Sequence, residues 1–157
     1  MESKVRVLPP EELMDQLLGL LEDTESVPLL ISGNSMSPFM IHGRDTVYLS
    51  KVKEPLKKGD MILYRRASGA YILHRICKVR STAQQCVYDL VGDAQTLIEP
   101  DIKPEQVLAV VVAVNRKGKL LKKGSFWWEF FEKVWLRLIP LRHVLMKAYT
   151  LMTKWKR

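Results

Sequence analysis

The sequence predicts a mainly β fold with helices at both ends. Between Val27 and Leu121 the chain divides into six short runs rich in β-branched and aromatic residues, separated by turn formers. Ahead of them, apolar residues recur at helical spacing behind a Pro-Pro pair. From Phe126 a helical period returns. With 157 residues, 47% of them hydrophobic, the chain is long enough to bury one real core. The expected organisation is an N-terminal helical segment (1–26), a β body (27–121) and a C-terminal basic, aromatic, amphipathic helix (122–157).

In the first segment, Pro9 and Pro10 precede Glu11 and Glu12, and a proline followed by acids suits a helix start. Leu13, Leu17, Leu18 and Leu21 then give one apolar face. The strand-like runs are "VPLLIS", "DTVYLSKV", "DMILYRR", "AYILHRICKV", "CVYDLV" and "VLAVVVAVN", with "LKKGD", "ASGA", "RSTAQQ" and "NRKGK" among the turns. Many short strands of this kind close most readily into a coiled or partly closed barrel. In the last segment Trp127, Phe130, Phe131, Val134, Leu138 and Leu141 line one face, and Pro140 is expected to kink or split the helix.

Charge separates the tail from the body. The net charge is +8, but Arg116 to Arg157 holds twelve Lys or Arg against two Glu, which is +10 and leaves −2 for the rest. All four tryptophans lie in that tail. Two readings of it stay open: its apolar face packs on the body, or it lies in a membrane interface with lysines on anionic lipid. Nucleic acid is disfavoured because the basic residues alternate with bulky apolar ones instead of forming a phosphate-binding groove. No apolar run is long enough to span a membrane, and the N-terminus has no apolar signal region. Cys77 and Cys86 are too few for a disulfide scaffold and read as reduced thiols on adjacent strands, within reach of a cross-strand contact. A cytoplasmic protein is expected, with a membrane surface as one possible partner of its tail.

Chemistry concentrates at "ISGNSMSPFMIHGRD", Ile31 to Asp45, where a buried strand runs into a tight bend. Such a bend either connects two strands or holds a hydroxyl, here Ser35, out into a cleft. A serine nucleophile needs a base, and His74 in "YILHRI" shares a strand face with Ile72 and Ile76. Asp93 in "LVGDAQ" follows a strand and a glycine, a place from which a carboxylate could orient that imidazole.

Taken in order, "GNSMSPFM", "GRDTVYL", "LKKGDMILYR", "YILHRICKV", "VGDAQ" and "KPEQVLAVVVAV" resemble the catalytic domain of the type I signal peptidase and LexA-like serine peptidase superfamily. The resemblance covers about Leu30 to Val114. It implies a LexA- or signal-peptidase-like coiled β catalytic domain, Ser35 as nucleophile and no cofactor or metal. Bacterial signal peptidases and LexA-type repressors use a lysine base; Leu73-His74-Arg75-Ile76 is closer to the endoplasmic-reticulum and archaeal branch, which uses histidine. That branch has acids in and after its "GDN" segment. Asp93 matches the first, and Glu99 or Asp101 stands near the second. Gly33 stands where signal peptidases often carry a serine serving the oxyanion hole. His42 is read as structural.

The expected function is a serine endopeptidase with a Ser35–His74 dyad assisted by Asp93, cleaving a leader or signal segment of a peptide. The resemblance implies that substrate binds as an extended strand added to a sheet edge. The alternative is a non-catalytic peptide-binding or regulatory module on the same fold. A self-cleaving regulator would lack its lysine base here.

Overall fold

The computed structural model describes residues 9–155. Residues 1–8, the start of the expected N-terminal segment, and Lys156 and Arg157, the end of the basic tail, lie outside the described residues. Helix α1 (Pro10–Asp23) opens with Pro10 at its first position and Glu11 and Glu12 in its first turn, where the helix dipole favours negative charge. It buries Met14, Leu17 and Leu21, so its inner face is turned slightly from the leucine set expected, and Leu13 is exposed.

The body is one antiparallel sheet of eight strands: β1 (Val27–Leu30), β2 (Thr46–Ser50), β3 (Met61–Arg65), β4 (Tyr71–Ser81), β5 (Cys86–Val91), β6 (Glu99–Ile102), β7 (Val107–Arg116) and β8 (Lys119–Lys122). Their order is β1-β2-β7-β3-β4-β5-β6, with β8 also paired to β7. The six expected strands are present. The sequence reading missed β6 and β8, four residues each, because "EPDI" and "KLLK" lack the β-branched density that marks a strand.

Register shifts between Tyr48 and Leu49, Leu63 and Tyr64, Ile76 and Lys78, and Tyr88 and Leu90 bend the sheet. The bends let it wrap two apolar clusters. Met61 and Leu63 face one, with Val47, Leu49, Ala109, Val111 and the helix α1 residues. Ile62 and Tyr64 face the other, with Ile76, Tyr88, Leu90 and Ile102. Strand β3 is thus buried on both faces and serves as the wall between the two.

The C-terminal region, expected over 122–157 as an amphipathic helix kinked or split at Pro140, is broken there and is also irregular before it. It is a short α2 (Phe126–Glu129), a π turn (Phe130–Val134), a tight 3-10 stretch (Trp135–Leu141) and α3 (Arg142–Trp155). Leu138 leaves helical geometry two residues before Pro140, which has no amide to continue the ladder. The changing pitch rotates the apolar face. Trp128, Phe131, Trp135 and Leu136 are buried, whereas Trp127, Val134 and Leu141 of the expected face are exposed. Trp128, Phe131 and Trp135 join the same cluster as β2, β3 and β7, and Leu145 and Met146 of α3 pack against it, so the tail packs on the body from Phe126 as far as Met146. Among the described residues, no helix is long and apolar enough to cross a membrane. Cys77 is buried with its thiol on the Asp89 carbonyl, Cys86 is exposed, and the two are not bonded to each other.

Candidate active site

The serine bend is built by main-chain closure around a short stem. The Ile31 amide donates to the Asp45 carbonyl at 2.9 Å, and the Gly43 amide donates to that of Ile31 at 2.8 Å. Asp45 is fully buried and accepts from the Ile41 amide, the Lys117 amide and Arg44, which ties the loop to the β7–β8 turn. Gly33 has φ +87°, a conformation that side chains disfavour, and its amide donates to His42 Nδ1 at 3.0 Å. His42 therefore fixes the bend. Buried Met36, Phe39 and Met40 anchor its far side, and the Ser37 amide closes a turn on the Asn34 carbonyl at 3.1 Å. Ser35 sits in that turn, half-buried, and its own amide donates no hydrogen bond among the described residues. An amide left open beside a nucleophile is available to an oxyanion.

A second turn, Gly92 to Gln95, abuts the first. The Ala94 amide donates to the Ser35 carbonyl at 2.8 Å. A Cβ at Gly92 would stand 2.5 Å from that same carbonyl, so only glycine lets the two turns meet. The C-terminal region clamps this turn from outside. Trp135 Nε1 donates to the Asp93 carbonyl at 2.8 Å, and Arg142 donates to the carbonyls of Gly92 at 2.8 Å and Gln95 at 3.0 Å.

His74 enters from β4, 3% exposed, with Ile62 of β3 opposite it. The Tyr64 hydroxyl lies 3.3 Å from His74 Nδ1 and donates to Glu99 Oε2 at 2.7 Å. A phenol has one proton, and it is given to a carboxylate that only accepts. Nδ1 must then carry the hydrogen of the Nδ1···Oη bond, which leaves the lone pair on Nε2. Glu99 is held by Arg66, whose Nε donates to Oε1 at 2.8 Å. Burial works against the Glu99 charge, but the bonds from Arg66 and Tyr64 outweigh it and hold its carboxyl below the usual range. Burial is also the main cause pushing His74 down to about 4, with Arg66 adding to it and the Glu99 and Asp93 charges opposing. The imidazole is neutral at neutral pH and able to accept a proton.

The structure places Asp93 elsewhere than expected. It is fully buried, and both of its oxygens bind Arg75, Oδ1 at 3.0 Å and Oδ2 at 2.9 Å. Arg75 in turn donates to the Gly59 carbonyl and lies over the Phe39 ring. The alternation of β4 points Arg75 to the face opposite His74, so the acid that pairs with Arg75 is turned from the imidazole. The acid connected to His74 is Glu99, through Tyr64. Asp101 is bonded to Arg80 on the surface.

Ser35 and His74 each line an opening beside the Gly92–Gln95 turn. A groove of about 80 Å³ runs between Ile31–Gly33 and Ser35 on one bank and Tyr71–Leu73 on the other. The Tyr71–Leu73 bank is a strand edge left open on one side, because β5 joins β4 only from Arg75 onward; the other bank is the bend that follows β1. His74 faces a larger cavity, about 850 Å³, bounded by the turn, by Leu97 to Pro100 and by α3. No hydrogen bond joins Ser35 to His74 in this structure. Among the described residues, no group of three or more His, Cys, Asp or Glu is arranged to hold a metal ion.

Sequence reasoning missed Tyr64, Arg66, Arg75 and Arg142. A usable signal existed for Tyr64: counting back from the "ASGA" hairpin turn, closed by the Arg66 amide on the Ala70 carbonyl, puts Tyr64 opposite Ile72 and diagonal to His74. Nothing in the pattern distinguished Arg142 from the other basic residues of the tail. No protein-family model matches the chain, and no curated protein matches it.

Proposed function

We propose that the chain is a serine endopeptidase with a LexA- or signal-peptidase-like catalytic domain, in which Ser35 is the nucleophile and His74 the base. The observation that carries the reading is His74 itself, a buried neutral imidazole whose Nδ1 is occupied by Tyr64 and whose Nε2 makes no hydrogen bond among the described residues. His74 also borders an open cavity, so its free lone pair is within reach of a substrate group.

A peptide laid between Ile31–Gly33 and Tyr71–Leu73 would add a strand to the open edge of β4 and carry its scissile carbonyl past Ser35. His74 Nε2 takes the Ser35 Oγ proton as the Oγ–C bond forms. The resulting oxyanion accepts from the Ser35 amide. The imidazolium then gives its proton to the amine nitrogen as the C–N bond breaks. Water, deprotonated by Nε2, attacks the acyl group, and the proton returns to Oγ on release. Glu99, acting through Tyr64, steadies the imidazolium, and Tyr64 is a positioning residue. The substrate class is a leader or signal segment with small side chains before the cleavage point, which suits so narrow a groove.

A second reading, a peptide-binding module without catalysis, is favoured by the missing Ser35–His74 hydrogen bond. A peptidyl boronic acid ending in alanine separates the two. A peptidase converts its boron from trigonal to tetrahedral by bonding Ser35 Oγ, seen by boron NMR and lost in Ser35→Ala. A binding module takes up the peptide with boron still trigonal.

The exposed residues Val144, Met152 and Trp155 form one stripe along α3, with Leu141 just before the helix and Lys154 beside the stripe. We propose an anionic membrane surface as its partner.

A further inference from the structure

The large cavity beside His74 has no part in the groove that binds the acyl side of a peptide, yet it adjoins the base. In any serine peptidase the base hands its proton to the leaving amine, so the segment after the scissile bond departs past the base. Here that direction leads into the space between His74 and α3. We propose that this cavity is a peptide-binding subsite for the leaving segment, taking short apolar sequences that carry a carboxylate. The assignment to the leaving side rests on the peptidase reading.

Three features set the ligand class. At about 850 Å³ the cavity falls within the range of pockets that enclose most of a small ligand, about 300–1,000 Å³. Its walls are chiefly apolar, from Leu97, Ile98 and Pro100 on the body and Met146 and Leu151 on α3. Its basic side chains are unevenly matched. Arg66 is already held by Glu99, whereas Lys147 and His143 make no hydrogen bond or ion pair among the described residues. An apolar space bordered by an uncommitted ammonium suits apolar side chains followed by a carboxylate.

The helix is placed for this task by its own periodicity. His143, Met146, Lys147, Thr150 and Leu151 lie at i, i+3, i+4, i+7 and i+8, a single face turned to the cavity. Arg142, buried at the first residue of α3, fixes the start of that face against the Gly92–Gln95 turn. Arg142 therefore holds the serine turn and the cavity wall in register.

The test measures binding in the full-length Ser35→Ala chain, so it needs no catalysis. The probes are three tripeptide amides with free amino termini: Leu-Phe-Asp, Leu-Phe-Lys and Ser-Gln-Asp. The reporter is the methyl resonance of Met146, assigned through Met146→Leu. Leu-Phe-Asp should shift it saturably, about fivefold more tightly than Leu-Phe-Lys, and Ser-Gln-Asp should bind far more weakly. Lys147→Glu should reverse the Asp over Lys preference. Leu151→Asp, at a side chain already 69% exposed and so tolerant of change, should weaken Leu-Phe-Asp. The subsite is overturned if Leu-Phe-Asp gives no saturable shift, if Ser-Gln-Asp binds as well, or if Lys147→Glu leaves the preference as it was. Binding as expected, together with trigonal boron in the boronate experiment, would reject the peptidase reading while leaving the cavity a peptide site.

Discussion

The Tyr64 hydroxyl stands 3.3 Å from His74 Nδ1, and because it gives its own proton to Glu99 it fixes which ring nitrogen of His74 is free. Tyr64→Phe removes that acceptor without changing the shape of the side chain. The Nδ1–H is then unpaired and the ring loses its preferred tautomer. In the peptidase reading, kcat should fall on the order of tenfold to a hundredfold with KM little changed. A hydroxyl with only a structural role would lower stability and leave that ratio alone.

The pH dependence follows from the burial of His74. A free histidine would make the rate rise through neutrality, but this imidazole is pushed down to about 4. The rate should therefore be level across the neutral range and fall only as the pH drops toward 4. Stability has the same sign. The unfolded chain takes a proton near the ordinary histidine value while the folded one refuses it, so stability is lost from about pH 6.5 downward and levels off below the folded value. The cost from this group is on the order of 3 kcal/mol, checked by urea unfolding from pH 7 to 4 in the parent and His74→Gln.

Asp93 is expected to matter for stability. Asp93→Asn leaves the buried Arg75 guanidinium without its anion and should destabilise by about 3 kcal/mol, measured by chemical denaturation. Glu99→Gln, at a partly exposed carboxylate, should cost less stability and more kcat. The opposite ranking would return the orienting role to Asp93.

Truncation separates the two parts of the tail. A chain ending at Gly124 loses Trp128, Phe131 and Trp135 from the main core and should unfold or precipitate with no lipid present. A chain ending at Lys147 keeps the Arg142 clamp and the core contacts of Leu145 and Met146, and should stay folded. If α3 meets a membrane, only the full-length chain should sediment with anionic vesicles, and high salt should release it. Equal sedimentation of both chains would exclude the end of α3 as the contact.

The sequence made the strand runs and the serine bend legible for a physical reason. Buried strands need β-branched and aromatic residues, and a bend needs Gly, Asn, Ser and Pro, so "VPLLI" followed by "SGNSMSP" states both. Asp93 and Glu99 were harder to tell apart. Both follow β5 closely, and only the alternation of β4, which sends His74 to one face and Arg75 to the other, decides which acid each one meets. The buried face of the tail differs from the expected one because its pitch is not that of one α-helix. A π turn and a 3-10 stretch each change the residues per turn, and so turned Trp128 and Trp135 inward.

The central claim is that Ser35 and His74 act together on a peptide bond. It is tested most directly by incubating the chain with a proteome-derived peptide library and identifying new amino termini by mass spectrometry. The account expects termini that vanish in Ser35→Ala and in His74→Ala, each with an unchanged circular dichroism spectrum, and persist in Lys78→Ala, which removes the lysine of β4, the nearest along that strand to His74 and the rival base of the lysine-using branch. Termini that survive in either of the first two variants, or that vanish in Lys78→Ala while His74→Ala stays active, would contradict it.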